Sequence, residues 1–574
     1  MKRSLVPFMG AILVAVVPVV WLGHFVAGTE QSVPALDQWT LFEFYYDVAT
    51  DRATLAQFFE PHNNTHVILV PRLLLTPLAL ATNWNLPAES YGTYVLFLAT
   101  LGGLVRLTWK EGARTPFAAF VLLASVVLLC SPVFNLTFLW GGGFFHMLVN
   151  VGAVWAVVFL SEAHQKDQAR WIVWAALATA VATFSRLEGF ALWFILVPGV
   201  YGLPGTARQR RQRLGAWLGA TAACGSLLLF SLTALQGEVL APSPAIDLNP
   251  RLIPLMIATA LQLVGHSLAM PLDLALGLSV LDVPLLAFIL GAIVVIAFCI
   301  LSLWQLRSAP PQSRSIAISW ILLGLFALCM AGGTSFTRAV LLQKSLAQFV
   351  GINMYSATVV WVTVASLNLL PKKPSAPRWL RQGGVAFVTL IFATTFYSFI
   401  QAMPLAYPHR EVGSTTFHCW DLRLILSEIN SCFYHLPNEA VQAQLEEVGF
   451  RHVRRDLRFG EPLSPESGII NSIEQRPDQV ILEGWIDPRH RTGRPSVWIS
   501  SGDEPRLTHW APWVEKGPSS RWLWRAEITR PAGQGPFRVW LYDDGRPMLA
   551  EFPVGGAARK PRETELKSSP TSTP

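Results

Sequence analysis

Charge is what this sequence lacks most. Only 14% of its 574 residues are Asp, Glu, Lys or Arg, while 52% are hydrophobic, and the mean hydropathy is +0.40. Those values exclude a soluble globular enzyme and place the chain among polytopic membrane proteins. Ionisable groups deep inside the apolar runs are also scarce, which argues against a transporter or flippase, whose pathways are built from them. Cysteine is sparse too. Cys130, Cys224, Cys299 and Cys329 fall in predicted membrane helices, leaving Cys419 and Cys432 as the only two in the soluble region. Their pattern points to one disulfide in an oxidising compartment, the alternative being two unrelated thiols. Finally, no polar cleavage region follows the apolar core of "MKRSLVPFMGAILVAVVPVVWLGHFVAG". The opening segment therefore reads as a first transmembrane helix rather than a removed signal, with Lys2 and Arg3 on the cytoplasmic side.

What is present is a series of apolar stretches, each about 17 to 25 residues long, the length that crosses about 30 Å of hydrocarbon as helix. We place spans at 5–27, 88–106, 117–131, 145–162, 171–184, 189–204, 214–236, 281–305, 315–332, 353–370 and 384–403. Basic clusters between them mark inner loops: Arg106, Lys110 and Arg114; Lys166 and Arg170; "TARQRRQR" at 206–213; Arg307 and Arg314; "PKKPSAPRWLRQ" at 371–382. The odd count puts everything after residue 403 outside. Two further apolar pieces, 67–83 and 253–268, do not fit as single crossings and are read as juxtamembrane, re-entrant or a compensating pair of spans. The expected fold is thus a polytopic α-helical membrane protein of about 11–13 transmembrane helices, carrying a C-terminal periplasmic β-sandwich-like domain. Its divisions are a membrane domain 1–403 with a first outer loop 28–66, an α/loop connector 404–464, a β-rich domain 465–556 and a disordered tail 557–574. The net charge of +7 concentrates in the inner loops and tail, which speaks for membrane orientation and against nucleic acid.

The first outer loop gathers the polar groups that the rest of the chain avoids: Asp37, Glu43, Asp47, Asp51, Glu60, His62, Asn63 and His66, interleaved with aromatics. Residues 49–59 read as a short amphipathic helix on the interface, with Leu55, Phe58 and Phe59 towards lipid. His62 and His66 are four apart, so a helix starting near Pro61 would put both on one face. They would there hold an acceptor, orient a base or, with an Asp, bind a divalent cation; the blander alternative is a polar helix cap. Arg72 belongs either to that pocket or to the headgroup layer. On the same side, Arg338 and Lys344 break the positive-inside pattern, as a phosphate-binding site would require. Arg186 and Glu188 in "FSRLEGF" form either an interfacial ion pair or part of the same cavity. "GGGFFHMLVN" at 141–150, with His146 and Asn150, reads as close helix packing.

"DQW" at 37–39 followed by "FFEPHNNTHVILVPRLLL" resembles a bacterial group of the C-type glycosyltransferases, integral membrane enzymes that use polyprenyl-phosphate sugars. The sequence departs from that pattern where Gln38 replaces a second acid and where "HNNTH" lacks a Glu and an Arg. The resemblance implies a base soon after the first helix, which is Asp37, with Asp47 and Asp51 as alternatives. It also implies a late outer Arg with a Tyr near the next helix, here Arg338 and Tyr355, on the donor phosphate. The reaction implied is inverting transfer of a hexosyl or pentosyl group to an envelope glycan, lipid or protein. A lipid-linked glycan ligase or polymerase, a transporter and a non-catalytic assembly protein remain as other readings. In the β-rich region, the tryptophans read mainly as core, and Trp510 and Trp513 in the loop-like "THWAPWVEKG" are the candidates for stacking on sugar.

Overall fold

The computed structural model describes most of residues 6–397, apart from 29–37, 63–65, 111–114, short pieces between 132 and 141, 167, 235–251, 277–281, 343–352 and 372–376; beyond 397 it describes little except strands between 458 and 551. Two units result, Met1–Tyr407 and Pro408–Pro574.

The first unit is helical, as a chain with hydrocarbon for solvent must be to satisfy its own backbone. Seven described helices are long and apolar enough to cross a membrane: α1 (Val6–Gly28), α5 (Leu86–Lys110), α7 (Gly143–Lys166), α11 (Ala207–Ala234), α12 (Ile253–Leu276), α13 (Asp282–Ser308) and α14 (Pro311–Leu342). Shorter apolar helices lie between them. These are α4 (Leu69–Thr82), α6 (Pro116–Leu129), α8 (Ala169–Thr183), the broken stretch Leu187–Tyr201, and α15 (Asn353–Val359) with α16 (Trp361–Leu369). A last helix, α17, runs over 378–397.

Two differences from the sequence-based spans have clear causes. The 253–268 piece is part of a continuous 24-residue helix, α12, long enough to cross unaided. It lies against α13 backbone to backbone: a Cβ on Gly265 would collide with the Ala287 carbonyl, and one on Gly291 with that of Leu261. The basic stretch 206–213 is the first two turns of α11 rather than a loop. Thr206 and Gln209 cap it reciprocally, with Thr206 N–H donating to Gln209 Oε1 at 2.8 Å and Gln209 N–H to Thr206 Oγ1 at 3.3 Å.

At the centre stands α7, almost enclosed, with α5, α8, α14 and α15 packed around it. The first loop covers one end of this bundle. It comprises α2 (Gln38–Ala49), α3 (Leu55–Phe59), and a hairpin of β1 (Pro61–His62) and β2 (His66–Val67) leading into α4. The amphipathic helix expected over 49–59 is therefore displaced. The chain is helical before residue 50 and turns at Asp51, whose φ of 55° is left-handed, while the Asp47 carbonyl accepts from the amides of Arg52 and Ala53. Only five residues of α3 follow.

In the second unit, β3 (Arg458–Phe459), β11 (Arg546–Glu551), β10 (Phe537–Asp543), β6 (Pro495–Ser501) and β7 (Leu507–Trp510) form one sheet in that order. A second contains β4 (Gly468–Gln475), β5 (Gln479–Ile486), β9 (Trp522–Thr529) and β8 (Trp513–Lys516). All pairings are antiparallel except β3 with β11. Trp510 and Trp513 are thus strand residues, Trp510 opposite Trp498 and Trp513 opposite Arg525, and not the loop positions the sequence suggested. Cys419 and Cys432 lie outside the described residues; Cys130, Cys224, Cys299 and Cys329 are free.

Candidate functional site

The polar groups converge where the first loop meets the turn after α8. That turn, a 3-10 helix over Leu187–Phe190, folds so tightly that Gly189 has no room for a side chain: a Cβ would collide with the Ala182 carbonyl at the end of α8. The first loop is fastened to the same place. The amide of Val70 donates to the carbonyl of Phe184 at 3.0 Å, and Val67 packs with Phe184 and Leu228.

These two fastenings bring together residues far apart in sequence. Arg186 donates to Glu188 twice, Nη2 to Oε1 at 2.7 Å and Nε to Oε2 at 3.3 Å. Its Nη1 reaches the His146 ring on the first turn of α7, and its Nη2 lies 3.4 Å from His66 Nε2. The guanidinium sits 5.5 Å from the centre of the Tyr355 ring, which meets His146 edge-on at 5.3 Å. His66 Nδ1 is 3.6 Å from Glu188 Oε2. Because an arginine only donates, the imidazole nitrogens facing it act as acceptors and carry no proton there.

Depth separates the members of this cluster. His146 is 1% exposed and the Arg186 side chain 8%, whereas Glu188 is 21% and His66 24% exposed. Arg186 and His146 therefore form a buried floor, while the acid and the imidazole above it remain reachable.

His62 and His66 are cross-strand partners in the β1–β2 hairpin, with Cα register His62↔His66, and not neighbours on a helix face. Asn-Asn-Thr between them favours a turn over helix, and Pro61 lacks the amide that a helix interior needs. Val67 and Ile68 add β-branched residues. His62 is 4% exposed, with Thr40 Oγ1 3.1 Å from its Nδ1 and the Phe145 ring edge-on at 5.7 Å. Burial, reinforced by the charges of Arg72, His66 and Arg186, pushes its pKa down to about 3.

Arg72 neither snorkels nor opens towards a pocket. It is 6% exposed and donates to the carbonyls of Phe58 at 3.2 Å and Glu60 at 2.5 Å, over the Phe44 ring. Asp47 receives Gln57 Nε2 at 2.8 Å and lies 3.6 Å from Arg52 Nε, so it ties α2 to α3. Asp51 is exposed at the turn. Gln38, the residue in place of a second acid, donates to Glu89 at 2.8 Å, and Trp84 Nε1 donates to the same carboxyl at 3.0 Å. Asp37, Asn63 and Lys344 lie outside the described residues; Arg338 is on α14, near its end.

Sequence reasoning left His146 without chemistry, whereas Arg186 and Glu188 were read as an interfacial ion pair or part of the same cavity, and the pair is present. The available signal was that "SRLE" and "FFHM" both fall at the same predicted membrane face as the first loop. Among the described residues, no group of three metal-ligating side chains assembles, and Arg186 stands between His66 and His146.

The fold and cluster define a polytopic helical membrane protein with a polar, partly open centre at one end of its bundle. Compared with protein-family models, curated proteins and solved structures, the chain matches none.

Proposed function

We propose that this chain is an integral membrane glycosyltransferase that moves a sugar from a polyprenyl-phosphate donor to an envelope acceptor. In this reading it works at the outer face of a bacterial inner membrane, with its N-terminus cytoplasmic and its C-terminal domain periplasmic. The observation that carries the reading is the pairing of His66 with Glu188, both reachable, above a buried Arg186–His146 floor. Transfer to a hydroxyl needs a group to take the acceptor's proton as the anomeric carbon is attacked. An imidazole oriented by a carboxylate is suited to that task once the acceptor hydroxyl replaces Arg186 at His66 Nε2, a contact of only 3.4 Å, and it belongs to the loop whose "DQW" resembles the C-type enzymes. Glu188 already fills the fork of Arg186, so the departing phosphate falls to other cations, Arg338 and Lys344, with Tyr355 at the edge of the cluster. Asp37 and the His66–Glu188 pair are then the two candidates for the base.

The test is transfer of radiolabelled sugar from polyprenyl-phosphate donors into the envelope fraction. Wild type, Asp37→Asn, His66→Asn and Arg338→Ala would be compared at matched expression. Loss in Arg338→Ala together with loss in either Asp37→Asn or His66→Asn supports the enzyme and selects the base. No turnover of any donor by the wild type removes the catalytic reading and leaves a non-catalytic assembly role or a different donor chemistry.

A further inference from the structure

The opposite end of α7 carries a second charged centre that the proposed chemistry does not use. Glu162 is about 24 Å along the helix axis from His146, by the helical rise per residue. Three cations converge on its carboxyl: Arg106 Nη2 at 2.6 Å, Lys110 Nζ at 2.8 Å and Lys166 Nζ at 3.0 Å. Glu162 and Lys110 are 3% and 5% exposed, whereas Arg106 and Lys166 are each 44% exposed. One carboxylate cannot balance three cations. Counting every charge in 106–114 and 162–170 (Arg106, Lys110, Arg114, Lys166 and Arg170 against Glu111, Glu162 and Asp167) still leaves two positive charges in excess.

Two of the cations, Lys166 and Arg170, lie beside an aromatic strip. Lys166 Nζ and Arg170 Cζ lie 4.9 and 5.1 Å from the centre of the Trp171 ring. Trp171 stacks on Phe159 at 5.9 Å, and Phe159 also meets Trp155 and Trp174. On α8, Val173, Trp174 and Leu177 are half or more exposed, an apolar face running from the basic end along the bundle.

We infer that Arg106, Lys166 and Arg170, with the Trp171–Phe159–Trp174 strip below them, bind one anionic phospholipid, its headgroup phosphate on the cations and an acyl chain along the strip. Charge fixes the phosphate: Arg106 and Lys166 are partly open and already held in place by Glu162, and Arg170 lies over Trp171, so these cations lose little freedom on meeting an anion. The strip decides between a lipid and a free phosphate, because a hydrophilic ion gains nothing from exposed tryptophan. The site is independent of the glycosyltransferase reading and stands whether or not that reading does.

The test is native mass spectrometry of the full chain released from nanodiscs of mixed phosphatidylglycerol and phosphatidylcholine. Retention of one phosphatidylglycerol in preference to phosphatidylcholine is expected. The preference should fall about fivefold for each charge removed in Lys166→Gln and Arg170→Gln, persist in Lys166→Arg, and weaken in Trp174→Ala. Equal retention of the two lipids overturns the proposal, as does an unchanged preference in both Gln variants. Displacement of the lipid by millimolar inorganic phosphate, with Trp174→Ala behaving as wild type, overturns the lipid in favour of an ion site. Circular dichroism of each variant separates loss of binding from loss of fold.

Discussion

Arg186 grips Glu188, only two residues further along the chain, with two parallel contacts of 2.7 and 3.3 Å. The two partners are unequally buried, 8% against 21% exposed, and this sets the first prediction. Removing Glu188 strands a deeply buried cation, which costs about 3–5 kcal/mol. Removing Arg186 strands a carboxylate that water can still reach, which costs less. Thermal unfolding in detergent should therefore rank Glu188→Ala below Arg186→Gln. The double variant should lose less than the sum of the singles, because each single change already breaks the same pair. Arg186→Lys should not restore stability, since an ammonium cannot supply two parallel donors while also reaching His146.

The second prediction concerns pH. His62 is neutral in the folded loop, with its pKa pushed down to about 3 by burial, while an unfolded histidine titrates near about 6.5. Below that unfolded value the unfolded chain takes up a proton that the fold refuses, so the stability His62 contributes is present above about pH 6.5 and declines as pH falls towards 3. NMR of ring-labelled histidine should show His62 unprotonated from pH 8 to 5. The acid-induced fall in melting temperature should be smaller in His62→Gln. A His62 resonance that titrates near pH 6.5 would mean that the hairpin is open to water.

Much of this was legible in the sequence, and the reason for each failure is physical. The membrane class and the position of the polar loop follow from hydropathy alone, because no other composition survives in lipid. The helical pairing of His62 with His66 was misread because a four-residue spacing fits a helix face and a hairpin register equally well; Pro61 and the Asn pair were the deciding local signals. The pairing of Arg186 with Glu188 was legible, but His146 went unassigned and its meeting with them was not foreseen, because it depends on two tertiary fastenings, Gly189 against Ala182 and Val70 against Phe184. Neither leaves a periodic trace in the sequence.

Those fastenings are themselves testable. Gly189→Ala places a methyl group against a backbone carbonyl that cannot rotate away, so the turn must shift and carry Arg186 and Glu188 with it. We expect a loss of about 1–3 kcal/mol, the usual cost of overpacking, together with loss of sugar transfer. Gly219→Ala on α11, where nothing approaches within 4 Å, should leave sugar transfer unchanged and stability unchanged or raised by about 0.5–1 kcal/mol, since alanine favours the helix. Equal behaviour of the two variants would show that the turn tolerates displacement and that its geometry is not what holds the site.

The remaining acids of the first loop separate by their surroundings. Asp51 occupies a left-handed turn at φ 55° with its side chain exposed, a conformation that glycine adopts without strain. Asp51→Gly should therefore leave stability unchanged or raise it by about 0.5–1 kcal/mol, and should retain sugar transfer. Asp47 is committed to Gln57 and Arg52 across the α2–α3 junction. Asp47→Asn should cost about 1 kcal/mol through the weakened clamp and reduce transfer only in proportion to the folded fraction. Both outcomes are read from the same assay, with protein folded at the assay temperature quantified by limited proteolysis. If Asp51→Gly is well folded yet inactive, the acceptor's proton leaves at the outer turn of the loop, and the His66–Glu188 pair serves to position that loop rather than to take the proton.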